Sequence, residues 1–108
     1  MVDRGRLAGL LERERATYRE RHPRSRAAHE AAAVSLLGGV PMTWMNKAAG
    51  RFPVYLAEAR GAQVTDVDGH SYIDFCLGDT GAMAGHSPAP TVQAVQSRFG
   101  EAGGATAM

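Results

Sequence analysis

The side chains able to do chemistry gather in two stretches of this chain. The first holds Gly85-His86-Ser87-Pro88, a histidine set just ahead of a proline-marked helix start. An imidazole there serves as a base or as a contact for an anion at the helix N-terminus. It serves more commonly as a hydrogen-bonding tie for its own loop. Directly before it runs Leu77-Gly78-Asp79-Thr80-Gly81, in which Asp79 and Thr80 stand among glycines that let a backbone approach a ligand closely. Neither phosphate-binding pattern, Gly-x-x-x-x-Gly-Lys-Ser/Thr or Gly-x-Gly-x-x-Gly, is present, so the stretch is a weak phosphate cradle. A structural turn and a substrate-lining loop both remain open. The second stretch spans residues 38–53 and carries the only tryptophan, Trp44, beside Met45. Both suit the wall of an apolar pocket, although the area a tryptophan buries favours core packing.

Other reactive types are sparse. Lys47 is the only lysine. A Schiff base to a carbonyl needs a lysine amine, yet nothing near Lys47 would desolvate it, and it reads as an exposed loop residue. Asp66, Asp68 and Asp74 do not follow calcium-loop spacing. Asp68 is explained by a turn and the other two by strand polarity, so no metal is expected. Cys76 is the only cysteine, which excludes an intrachain disulfide and a cysteine metal cluster and suits a reducing compartment.

Twelve basic residues against eleven acidic ones leave a formal net charge of +1, which points to neither nucleic acid nor a membrane surface. The arginines cluster as Arg13, Arg15, Arg19, Arg21, Arg24 and Arg26, interleaved with Glu12, Glu14 and Glu20. That pattern reads as a solvated helix face rather than a nucleic-acid arm. No run is apolar enough for a signal peptide or a membrane span, and a cytoplasmic location is the expectation.

The elements that must position these residues follow from periodicity. Residues 3–21 form an amphipathic helix with Leu7, Leu10, Leu11 and Tyr18 near one stripe. His22-Pro23 breaks it. Ser25 is expected to cap a second helix reaching about Leu37, ended by Gly38-Gly39. Strands are expected near 53–59, 62–67 and 71–75, the last pair joined by a tight Asp68-Gly69 turn. Thr91 to Phe99 is helical, with Val92, Val95 and Phe99 at helical spacing and Pro88 and Pro90 at its start. The class is α+β: a helical segment over 1–37, then loop, antiparallel three-stranded meander and helix over 38–108. At 108 residues this is one domain at most and encloses little core. A fragment, or a segment packed on a partner, is the expectation.

Gly38-Gly39-Val40, then Asp66-Val67-Asp68-Gly69 with Tyr72-Ile73-Asp74-Phe75, then Gly85-His86 with Pro88, stand in a specific order and spacing. This series resembles the N-terminal part of the class III, fold type I pyridoxal-phosphate aminotransferases, in the branch of glutamate-1-semialdehyde aminomutase. The resemblance covers roughly residues 36–108. It implies transfer of an amino group between an amino acid or amine and a keto acid or aldehyde, with a homodimer as the complete form. It also implies that Trp44, Met45, Asp79 and Thr80 shape the substrate side of the active site. The family's Schiff-base lysine, its aspartate on the pyridine nitrogen and its phosphate loop lie further along a longer chain. This segment alone is therefore expected to hold no pyridoxal phosphate, to contain no catalytic residue and to be inactive.

Two departures bear on the substrate. The aminomutase places a carboxylate-gripping arginine five residues past the valine of Gly-Gly-Val, where this chain has Met45. Its Ser-Trp pair falls at Gly78 and Asp79. A thioether cannot replace a bidentate guanidinium clamp. An aminotransferase with a more apolar amino donor fits better than the aminomutase. A non-catalytic interaction module that lacks the cofactor domain is the reading from another class.

Overall fold

The computed structural model describes residues 2–47, 50–79 and 81–103. Its elements are α1 (Arg4–Arg21), α2 (Pro23–Ala32), short 3₁₀ turns at Leu37–Gly39 and Thr43–Lys47, β1 (Leu56–Arg60), β2 (Gln63–Asp66), β3 (Ser71–Ile73) and α3 (Ala89–Ala102). The strands form one sheet in the order β1-β2-β3. The α+β sequence of helices, antiparallel meander and helix is the one expected. Two compact units emerge, Met1–Ala57 with Asp66–His70, and Glu58–Thr65 with Ser71–Met108.

In the first unit α1 opens at Asp3, whose carboxylate accepts the Arg6 N–H at 2.9 Å. It stops at His22, and Pro23 takes the first position of α2, where a missing N–H costs nothing. Tyr18 is the anchored member of the expected stripe: its hydroxyl donates to the Phe52 carbonyl at 3.0 Å and its ring lies 5.0 Å from that of Phe52. Leu7, Leu10 and Leu11 stand exposed. Helix α2 ends five residues before the expected Leu37, and Ser25 lies inside it rather than capping it. Ser25 is fully buried, with its hydroxyl given to Asp68. Val40 and Phe52 supply the buried apolar side chains.

The 66–70 connection is longer than the tight turn expected. Asp66 N–H reaches the His70 carbonyl at 2.9 Å and Gly69 N–H the Asp66 carbonyl at 3.1 Å. Only Gly69, at φ +93°, takes the left-handed conformation. This is a three-residue hairpin loop closed by a glycine. It leaves Asp68 with its carboxylate directed at α2.

In the second unit β2 and β3 pair antiparallel with Val64 opposite Tyr72. Val64 and Ala82 are buried. β3 ends at Ile73, two residues earlier than expected, because Asp74 turns to bind the following loop. Helix α3 begins after Pro88 and exposes Val92, Val95 and Phe99. Among the described residues no helix is long and apolar enough to cross a membrane.

Candidate functional site

Trp44 and Met45 share one open cavity of about 350 Å³ in the first unit, with Val40, Pro41, Val54 and Leu56 among its walls. Among the described residues no charged side chain lines it. The Thr43–Lys47 turn presents both residues, and Tyr55 fixes the opposite wall by donating its hydroxyl to the Gly39 carbonyl at 3.1 Å. Trp44 is 60% exposed, so the expectation that it plugs the core is wrong. Lys47 is exposed, as expected.

Asp79 lies in the second unit, exposed and at φ +53°, with its N–H on the Cys76 carbonyl at 3.1 Å. Thr80 falls outside the described residues. The crossing is organised by Asp74. One carboxylate oxygen accepts the N–H groups of Cys76 at 2.8 Å and Leu77 at 3.0 Å. The other accepts the Gly78 N–H at 3.2 Å and lies 2.6 Å from His86 Nε2. The His86 contact holds the Asp74 carboxyl below the usual carboxylate range, desolvation works against it, and the three amides add to the lowering. Asp74 is thus a loop anchor and not a polar position of a strand. His86 also exchanges both backbone hydrogen bonds with Gly61, at 2.8 and 2.9 Å. A Cβ on Gly85 would come within 3.1 Å of Gly61 Cα, so the close approach requires glycine. These contacts favour the tie over the base for His86.

A cluster that periodicity did not disclose lies in the first unit. Asp66, assigned above to strand polarity, is buried at 2% exposure. Its carboxylate meets the His70 N–H at 2.8 Å, His70 Nδ1 at 3.0 Å and His22 Nε2 at 3.6 Å. The signal available in the sequence was a His-Pro helix break and an Asp-x-Asp-Gly-His turn, but only folding joins them.

The described residues do not fit a pyridoxal-phosphate site. Lys47 is an exposed amine at the end of a 3₁₀ turn. At the start of α1 the Asp3 carboxylate holds the Arg6 amide, and at the start of α2 the Asp68 carboxylate holds the Arg24 and Ser25 amides; both carboxylates would repel a phosphate. The first turn of α3 carries Pro90, which has no N–H to offer.

No family model matches the chain. It is 35% identical over 97 residues to an uncharacterized aminotransferase of Schizosaccharomyces pombe, covering 90% of this chain and 22% of that protein. A glutamate-1-semialdehyde aminomutase from Pseudomonas aeruginosa PAO1 superposes with a TM-score of 0.80 at 41% identity, over 90% of this chain and 22% of the other, and a variant of it is known in complex with PMP. A β-phenylalanine aminotransferase from Variovorax paradoxus gives a TM-score of 0.75 at 27% identity, over 90% and 23%. The chain spans about a fifth of the length of the relatives it matches. By fold and sequence together it matches the N-terminal portion of class III pyridoxal-phosphate aminotransferases and glutamate-1-semialdehyde aminomutases.

Proposed function

We propose that this chain is the N-terminal part of a pyridoxal-phosphate aminotransferase that moves an amino group between an amino acid or amine and a keto acid or aldehyde. The observation that carries the reading is the uncharged cavity around Trp44 and Met45. Such apolar walls favour an apolar substituent on the amino donor over a carboxylate. Asp79 and Thr80 contribute polar groups to the substrate side, and His86 keeps the crossing in place through Asp74. The complete protein is a cytoplasmic homodimer acting on small molecules. The single exposed cysteine, Cys76, supports a reducing compartment. We expect the 108-residue segment alone to be inactive, because Lys47, its only lysine, stands exposed at the end of a 3₁₀ turn.

A second reading, intramolecular amino transfer by a glutamate-1-semialdehyde aminomutase, is favoured by the 41% identity to the Pseudomonas enzyme. Met45, standing where a carboxylate clamp would be needed, speaks for the first reading.

The test uses this chain and the longest product of its gene. Visible absorbance of the cofactor's Schiff base is expected only in the longer product, and turnover is expected with apolar amine donors. In that product Trp44→Ala should raise KM for such donors. Absorbance in the 108-residue chain itself would overturn the assignment. Glutamate-1-semialdehyde as the best substrate would establish the aminomutase instead.

A further inference from the structure

Two imidazoles and a carboxylate converge at the corner between α1 and α2. We propose that His22, Asp66 and His70 form a binding site for a divalent first-row transition metal, with Zn²⁺ as the ion of choice. Each residue offers one ligand atom, and the three atoms lie within 4.8 Å of one another. A tetrahedral Zn²⁺ at ~2.0–2.2 Å from N and O ligands sets those ligands roughly 3.3 Å apart. The separations from Asp66 Oδ2, 3.6 Å to His22 Nε2 and 3.0 Å to His70 Nδ1, bracket that edge.

The surroundings are those a ligating set needs. His22 Nδ1 lies 2.8 Å from the Tyr18 carbonyl and donates to it, which fixes the ring with Nε2 toward Asp66. A second ring nitrogen bonded to a backbone carbonyl is the usual support of a metal-bound imidazole. Asp66 Oδ1 accepts the His70 N–H at 2.8 Å, which leaves Oδ2 turned to both rings. His22 and Asp66 are buried, so few waters compete, while the His70 side chain is 25% exposed. That opening gives an ion its route in and a water the fourth position. The donor set of two nitrogens and one carboxylate oxygen suits Zn²⁺ and its neighbours and not calcium or magnesium. A bound ion would tie the His22 corner to the Asp66–His70 turn.

The test is metal binding by the purified chain, first with Zn²⁺ by equilibrium dialysis and metal analysis, then with Co²⁺ by visible absorption. One ion per chain is expected, with the Co²⁺ bands of a low-coordinate nitrogen and oxygen site. His70→Gln and Asp66→Asn should each weaken binding tenfold or more, while His86→Gln in the other unit should bind as the parent does. If a variant loses its helical circular dichroism, imidazole ¹⁵N shifts of the unmutated chain decide. Zn²⁺ should move His22 and His70 and leave His29 and His86 in place. Absent or substoichiometric binding, equal binding in all variants, or unmoved His22 and His70 shifts would overturn the site, and the cluster would then be held by protons alone.

Discussion

Asp68 binds Ser25 twice: one carboxylate oxygen lies 3.0 Å from the Ser25 N–H and 2.7 Å from its hydroxyl. The other accepts the Arg24 N–H at 2.7 Å. A hairpin-turn residue therefore does for α2 the work of an N-terminal cap from 43 positions away. His22, the residue preceding α2, makes no such side-chain bond. Asp68→Ala removes both acceptors and the negative charge facing the helix dipole, and should cost about 1 kcal/mol. Asp68→Asn, which keeps an accepting oxygen, should cost less. Urea unfolding of the two variants side by side checks the order.

Acid should weaken the fold through the same contacts. Desolvation raises the Asp68 carboxyl, but the Ser25 hydroxyl and the Arg24 and Ser25 amides outweigh it and hold it below its ordinary value. Asp74 is lowered first by His86. A carboxyl with a depressed folded pKa gives stability that is present above the unfolded value of about 3.9 and is lost as pH falls through the folded one. The thermal midpoint should be level near pH 5–6 and drop below about pH 4. Asp68→Asn should shallow that drop.

Base should act through Tyr18. Desolvation raises its pKa, and the charges of Asp66 and Asp68 raise it further. A raised folded pKa means stability that is whole below the unfolded value of about 10 and declines as pH climbs past it. Tyr18→Phe should abolish this alkaline decline while losing the hydroxyl bond to Phe52. Thermal midpoints of both chains across that range would show it.

The crossing ahead of α3 depends on Asp74. Asp74→Ala strips the acceptor from the Cys76, Leu77 and Gly78 amides and from His86. Hydrogen exchange at those three amides should quicken, while the Gln63 to Thr65 pairing with β3 should stay protected. Unchanged exchange at Cys76 and Leu77 would refute the anchoring role.

Two glycines should respond to alanine with opposite signs. Gly9 sits inside α1 with nothing within 4 Å of an added Cβ, so Gly9→Ala should stabilise by about 1 kcal/mol through helix propensity. A Cβ on buried Gly50 would fall onto the Tyr18 ring, which its hydroxyl holds in place. Gly50→Ala should destabilise by about 1–3 kcal/mol as an overpacked site. Chemical denaturation of the pair would confirm or break this contrast.

Much of the fold is written in short-range signals. The His22-Pro23 break, the proline-marked start of α3, the glycine turn at Gly69 and the order of helices and strands each depend on residues within a few positions. Proline removes a donor and glycine opens positive φ wherever they stand, so these features are legible without tertiary information. Expectations failed where a side chain had a distant partner. Ser25 looked like a cap and is capped; Asp66 and Asp74 looked like strand polarity and are anchors. Which elements form is readable along the chain, because propensity and chain stiffness are local. Which carboxylate meets which imidazole or helix end is set by folding alone. A hydrogen bond requires atoms within about 3 Å, and no sequence spacing encodes that distance across a fold.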